Sequence, residues 1–409
     1  MNIIVYLVFC VALCYGQIYN ASIDTVGKEI SEKIGNFSIE VLFHTSKTLQ
    51  NGQNFIMSPI TVWSVLAVIA EGASGKTRVE ISNALRLTLR NRDMDRVGYK
   101  NLALWLQVNT GPVTLAKVNA IFVDKHRLPL RDFQEISKEY YQTEVVALDF
   151  TDSVNSANAL NKAISTATNG KISNMVDPSY FEGTQMVLTS ALYFKGQWSM
   201  RFNASSTARM PFFDSYGQIG EVNMMNNRHT YPFANVKELQ ARAIELPYGE
   251  GNRWSMVILL PNHEVSIEDM FFNFQNINLQ TLFEKLRVSK EQHPDNEVDC
   301  FIPRFKVQSN LDLTDVLRNR LGINEMFDPA RAQLPFLARF PIYASKVIHK
   351  AEIEVTEDGT EAAGVTASDF KDRMGVVKFQ ADRPFTYMIV EKVTNSILFG
   401  GFYRQPSLY

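Results

Sequence analysis

The stretch from Val355 to Met374 is built almost entirely of Thr, Ala, Gly, Ser and charged residues. Side chains of that size bury little apolar area, so the segment cannot carry a core of its own. It opens on an acidic turn, Glu357-Asp358-Gly359, and closes on the charges of Lys371, Asp372 and Arg373. Thr360, Val365 and Thr366 are β-branched and tolerate extended backbone, and their small neighbours would let the strand slide between others without clashing. Apolar pairs flank it, Val347-Ile348 before and Val376-Val377 after, so the pattern predicts a long loop, about 357–376, tethered at both ends to a sheet. A loop of about fifteen residues without secondary structure is usually functional or disordered.

The start of the chain is nearly continuous apolar sequence from Ile3 to Leu13, too short to span a bilayer comfortably. Cys14-Tyr15-Gly16 places small residues before Gln17, so residues 1–16 read as a secretory signal peptide and 17–409 as one mature domain in an extracellular protein. An intracellular protein with a buried N-terminal strand is the other reading. No Pro/Gly/Ser-rich linker, internal repeat or later charge-free apolar span divides the chain, and a net charge of -2 predicts no strong attraction to nucleic acid or membrane. Cys10 and Cys14 leave with the signal, so Cys300 has no intramolecular partner and reads as a small buried hydrophobe rather than a reactive thiol. Asn20, Asn36 and Asn203 each open an Asn-x-Ser sequon that a secreted chain could have glycosylated.

Enzyme chemistry finds little support. The six histidines are scattered without the His-x-x-x-His spacing of a zinc helix, and neither a Gly-x-Ser-x-Gly elbow nor a phosphate-binding glycine loop occurs. No metal or other cofactor is implied by the residues, and the expectation is that the protein is not an enzyme.

Several motifs together carry a resemblance. Asn54-Phe55-Ile56-Met57-Ser58-Pro59-Ile60-Thr61 leads into a strongly apolar helix with Ser at its cap and Pro in the first turn. Gln185 to Phe194 is a strand candidate that continues as Lys195-Gly196-Gln197-Trp198. Ile302-Pro303-Arg304-Phe305, the run Val347 to Val355, the turn Glu357-Asp358-Gly359-Thr360-Glu361-Ala362-Ala363-Gly364, and the strands Arg383–Val390 and Ser396–Phe402 complete the set. The chain resembles the serpins, a family of serine protease inhibitors, across nearly its whole length.

That resemblance implies a mixed α/β fold of α+β type, with about nine helices, three β-sheets and an exposed reactive-centre loop. It implies a suicide mechanism in which a protease cleaves the loop, an acyl-enzyme forms, and the loop inserts into the central sheet before deacylation. The family's spacing puts the scissile bond fourteen residues beyond the hinge glycine, which from Gly359 makes Arg373-Met374 the bait, with Lys371 the alternative. Glu357, Gly359, Thr360, Glu361, Ala362, Ala363 and Gly364 would form the hinge, and Thr360 would enter the sheet first. Ser58, Thr61, Ser190, His349, Trp198 and Arg304 would line the region that opens, with Glu357 pairing to Arg304. Ser190 stands where the family commonly has Asn, an exchange expected to weaken the polar latch with His349. An arginine bait implies a trypsin-like serine protease, a covalent complex, and a monomer before reaction. Some members also bind a glycosaminoglycan through a basic helix, and Arg86, Arg90, Arg92, Arg96 and Lys100 offer a diluted version of one; a solvated surface is the plainer reading. A noninhibitory member, acting as carrier, hormone precursor or chaperone, is the alternative function.

Overall fold

The computed structural model describes residues 25–49, 52–89, 91–107, 112–168, 170–251, 253–360 and 376–409. Among these residues there are nine α-helices: α1 (Thr25–Thr48), α2 (Pro59–Gly72), α3 (Gly75–Leu85), α4 (Arg92–Leu106), α5 (Arg131–Tyr141), α6 (Ser153–Ala167), α7 (Ile267–Phe272), α8 (Leu279–Gln292) and α9 (Thr314–Asn319). The strands are β1 (Phe55–Met57), β2 (Val113–Asp124), β3 (Thr143–Leu148), β4 (Met186–Gln197), β5 (Ala208–Asp214), β6 (Gly217–His229), β7 (Phe233–Val236), β8 (Ala241–Tyr248), β9 (Trp254–Pro261), β10 (Val298–Pro303), β11 (Phe305–Asp312), β12 (Lys346–Val355), β13 (Gly359–Thr360), β14 (Val377–Gln380), β15 (Phe385–Glu391) and β16 (Ser396–Tyr403).

They assemble into three sheets. The central one runs β11-β12-β4-β2-β3, with β13 attached to β4; the second runs β1-β16-β15-β9-β8-β7 and the third β14-β10-β6-β5. Strand composition explains the placement. β9, β15 and β16 are buried at every position, as interior strands of a sheet covered on both faces should be. β11 alternates strictly, with Phe305, Val307, Ser309 and Leu311 inward and Lys306, Gln308, Asn310 and Asp312 outward. Met224 and Met225 lie in β6 of the third sheet, where they are among the few buried residues of a strand that is otherwise exposed or half-buried.

The central sheet separates two apolar clusters. Leu188, Leu192, Val347 and Ala351 face the main core, which contains α2. Val187, Ala191 and Ile348 face the other way, under Leu160 and Ile164 of α6. α2 is buried along its whole length because Pro59 starts it with a preset φ and almost every later side chain is apolar. Cys300 is fully buried in β10 and burial pushes its thiol pKa up, so it packs as a hydrophobe.

Candidate functional site

β4 and β12 run parallel and pair from Val187/Lys346 to Leu192/Ala351. Above that point β12 continues along β11 as far as Val355, and β4 continues along β2 as far as Gly196. Each strand thus follows its outer neighbour, and no pairing joins β4 to β12 beyond Ala351 among the described residues. A cavity of about 250 Å³ lies at the divergence, lined by Gly170, Lys171, Tyr193, Phe194, Lys306, Glu352 and Glu354.

The upper end of this gap is closed by the hinge. After Val355 the chain reverses through Glu357-Asp358, with Thr356 N–H donating to Gly359 O at 2.8 Å and Gly359 N–H to Thr356 O at 3.2 Å. The reversal lays β13 antiparallel to β4, Gly359 opposite Gln197 and Thr360 opposite Gly196. Only glycine fits at 359. Its φ is +130°, and a Cβ there would stand 2.2 Å from Gly196 O. Gly196 gives way for a similar reason, since a Cβ on it would meet the rings of Phe194 and Tyr248.

Trp198 locks the turn. Its indole stacks on Tyr248 with centroids 4.3 Å apart, its Nε1–H donates to Thr356 O at 2.9 Å, and its main-chain N–H donates to Asp358 O at 3.0 Å. Phe202 N–H donates to Glu357 O at 2.8 Å. The Glu357 carboxylate is largely buried, accepts from Thr207 Oγ1 at 2.7 Å, and lies 3.6 Å from Arg304 Nη1.

The lower end of the gap rests on buried polar groups. Ser58 N–H donates to His349 Nε2 at 2.8 Å, so the ring carries its proton on Nδ1, which donates to Ser190 Oγ at 2.8 Å. Ser190 therefore makes the contact to His349 through its hydroxyl, where the family commonly has an amide. On the neighbouring strand Asn119, opposite Ser190 in the β2–β4 register, donates to Ser64 Oγ of α2 at 2.5 Å. Nothing in the sequence reading singled out Asn119; its signal was a lone amide inside the apolar run Val118 to Val123. Ser58 stands at the N-cap of α2, but its hydroxyl makes no capping bond, whereas Thr61 Oγ1 donates to Ser58 O at 3.0 Å.

Burial pushes the His349 imidazole down to about 3, because the charged form would lose its hydration. Between that value and the unfolded value of about 6.5 the unfolded chain binds a proton that the folded chain refuses, so folding stability falls as pH drops through this window. Going from pH 7 to 5 should remove about 2 kcal/mol through this one group. His349→Gln keeps a donor and an acceptor but cannot titrate, and its denaturant midpoint should fall less steeply over the same range. Parallel curves for the variant and parent would contradict the assignment.

Other sequence candidates are placed differently. Arg373, Met374, Lys371, Glu361, Ala362, Ala363, Gly364 and Asn20 lie outside the described residues, as does Arg90. Asn36 sits within α1 beside the fully buried Ser38, and Asn203 is largely buried, its Oδ1 accepting from Ser205 N–H and Oγ–H. Neither presents an open acceptor loop. The basic residues near α4 are engaged within the protein: Arg86 with Glu40, Arg96 bidentately with Glu71, Lys100 with Glu139, and Arg92 with the carbonyls of Glu71 and Ala73. They form no continuous free stripe for a polyanion. Among the described residues no group of His, Cys, Asp and Glu is placed to hold a metal, and no helix is long and apolar enough to cross a membrane.

Comparison with known proteins agrees with this architecture. Residues 32–406 match the family described as "Serpin (serine protease inhibitor)". Human serpin B8 is 33% identical over 92% of this chain and 100% of its own length, and the bovine leukocyte elastase inhibitor is 31% identical over 93% and 100%. The crystal structure of human thyroxine-binding globulin complexed with its hormone superposes with a TM-score of 0.81 at 26% identity, covering 93% of this chain and 100% of that one. The relatives thus include both protease inhibitors and a hormone-binding protein, and none of these comparisons points to an enzyme. The chain belongs to the serpin family.

Proposed function

We propose that the protein is a secreted, irreversible suicide-substrate inhibitor of a trypsin-like serine endopeptidase, with Arg373-Met374 as its bait bond. The observation that carries this reading is the hinge: β13 is already seated against β4 at the mouth of a gap that lacks one strand. Attack of the protease serine on the Arg373 carbonyl forms an ester and releases the Met374 amine. The freed strand then continues from Thr360 down between β4 and β12, pairing backbone groups along both, and carries the acylated protease with it. The polar contacts of Ser58, Ser190 and His349 must part for the strand to pass. The smallness of Ala362, Ala363 and Gly364 suits this passage. Residues 1–16 are removed on secretion, the remainder acts as a monomer without a cofactor, and Asn20 is the sequon best suited to carry a glycan.

Incubation of the purified protein with trypsin tests the proposal. An SDS-stable complex and a released fragment beginning at Met374 are expected. Cleavage without complex would select the noninhibitory alternative, a carrier, hormone precursor or chaperone, instead. That second reading has one observation in its favour besides the likeness to thyroxine-binding globulin: a cavity of about 650 Å³ beside α1 and α8, lined by Phe43, Phe271, Phe272 and Phe274 among polar residues.

Glu357 is the residue whose loss should loosen the closed sheet. Its ion pair with Arg304 is partly exposed and worth at most about 1 kcal/mol. Its burial and the Thr207 bond raise the cost of removing it to about 1–3 kcal/mol. Glu357→Lys adds a like charge beside Arg304 and should polymerise on mild heating at least about tenfold faster than the parent, as judged by native gels. Equal rates would remove Glu357 from this role.

A further inference from the structure

The residues after β16 return across the third sheet to the hinge. Asn54 pins the start of this tail, its Oδ1 accepting from the N–H groups of Arg404 and Gln405 at 2.6 and 2.8 Å. Ser407 N–H then donates to Tyr403 Oη at 3.0 Å, and Pro406 lies over Gly220 of β6. Tyr409 arrives at the junction of β10 and β11. Its main-chain oxygen accepts from Arg304 Nε at 2.6 Å and from Asn223 Nδ2 at 2.9 Å, and its phenol donates to Glu354. Glu354 is the penultimate residue of β12 and lines the cavity between β4 and β12.

We infer that Tyr409 is a positioning residue for the hinge: the tail is a strap that fixes the Arg304 guanidinium where it faces Glu357 and ties β12 to the third sheet. The chemistry is specific. Arg304 is 35% exposed at its side chain, and its long stem has many rotamers in water. With Nε held by Tyr409, the fork is restrained and Nη1 stays on the Glu357 side. The phenol–Glu354 bond adds a second tie, next to the pair of Lys306 with Glu352 and Glu354. Releasing the strap frees Arg304 to turn to solvent and lets the Glu357-Asp358 turn open more often. Because this turn gates the β4–β12 gap, the inference rests on reading that gap as the insertion slot.

The test is amide exchange at Trp198 and Phe202, whose N–H groups are held by Asp358 O and Glu357 O. Cutting the chain back to Ser407 should speed exchange at both on the order of tenfold while leaving the buried amides of β9 unchanged. Arg304→Ala should do the same, and the double variant should exceed Arg304→Ala alone by no more than Tyr409→Phe exceeds the parent, because only the phenol–Glu354 tie acts independently of Arg304. Tyr409→Phe, which keeps the main-chain oxygen, should show a smaller increase. Unchanged exchange in the shortened chain, or multiplying effects in the double variant, would overturn the assignment. No protease takes part, so a strap that behaves as expected in a protein that never traps trypsin would leave the inference standing and remove the inhibitor reading.

Discussion

Thr360→Arg should turn the protein from an inhibitor into a substrate. Among the described residues Thr360 is the last of the hinge to pair with β4, opposite Gly196, and on the proposed path it leads the loop into the sheet. Strand alternation then sends Thr360, Ala362, Gly364, Thr366, Ser368 and Phe370 toward the core and leaves Glu361 toward solvent, so the wild-type sequence inserts without burying a charge. A guanidinium at 360 would have to lose its water at the first step, as the strand opposite Gly196 enters the sheet. A barrier increase of about 3 kcal/mol slows insertion on the order of 100-fold. Deacylation, which occurs on the protease, is untouched, so nearly every encounter should end in hydrolysis. The measurement is the number of inhibitor molecules consumed per protease inactivated, together with complex yield on SDS gels. An unchanged stoichiometry and full complex yield would show that Thr360 does not lead the insertion.

How much of this was legible in the sequence differs from residue to residue. α2 was readable because Ser58-Pro59, followed by a run that is mostly apolar apart from Thr61, Ser64 and Glu71, favours a buried helix with a proline in its first turn. The turn at Glu357-Asp358-Gly359 was readable because a glycine among acids and small residues is a local signal, and φ +130° at Gly359 agrees with it; its role as a hinge came with the family resemblance. The family resemblance supplied the rest of the architecture, including the strand order, which periodicity cannot provide. What stayed hidden depends on contacts between distant segments. Asn119 and Ser190 become neighbours only through the β2–β4 register, and the Asn119–Ser64 bond likewise joins segments far apart in sequence. Tyr409 reads as an unremarkable tail residue until the fold brings it to Arg304. The basic residues near α4 find their acidic partners, Glu40, Glu71 and Glu139, on other helices, so the pairings lie beyond any local stretch of sequence.

Arg373→Glu should cost more than any other single change to the proposed activity. A trypsin-like protease reads its substrate through a carboxylate at the base of the specificity pocket, which pairs with a guanidinium in a two-pronged, charge-assisted contact. Glutamate removes that pair and sets two like charges face to face, a change of several kcal/mol. About 4 kcal/mol corresponds to a loss on the order of 1,000-fold in the rate of association with trypsin. Met374, on the far side of the bond, should accept substitution with much less effect. Two basic residues compete for the bait role, and the released peptide separates them. A fragment beginning at Met374 assigns Arg373; one beginning at Asp372 assigns Lys371. The distinction has a mechanical consequence, since cleavage after Lys371 leaves an insertable strand two residues shorter and a protease pulled less far, which should then escape more often. Asp372 acts on the same choice from the preceding subsite, repelling proteases whose neighbouring pocket is acidic and slowing general trypsin. Asp372→Ala should therefore raise the rate with trypsin while leaving the fragment's first residue as Met374. A variant that shifts the cut to Lys371 would mean that Asp372, rather than the distance from Gly359, selects the bond.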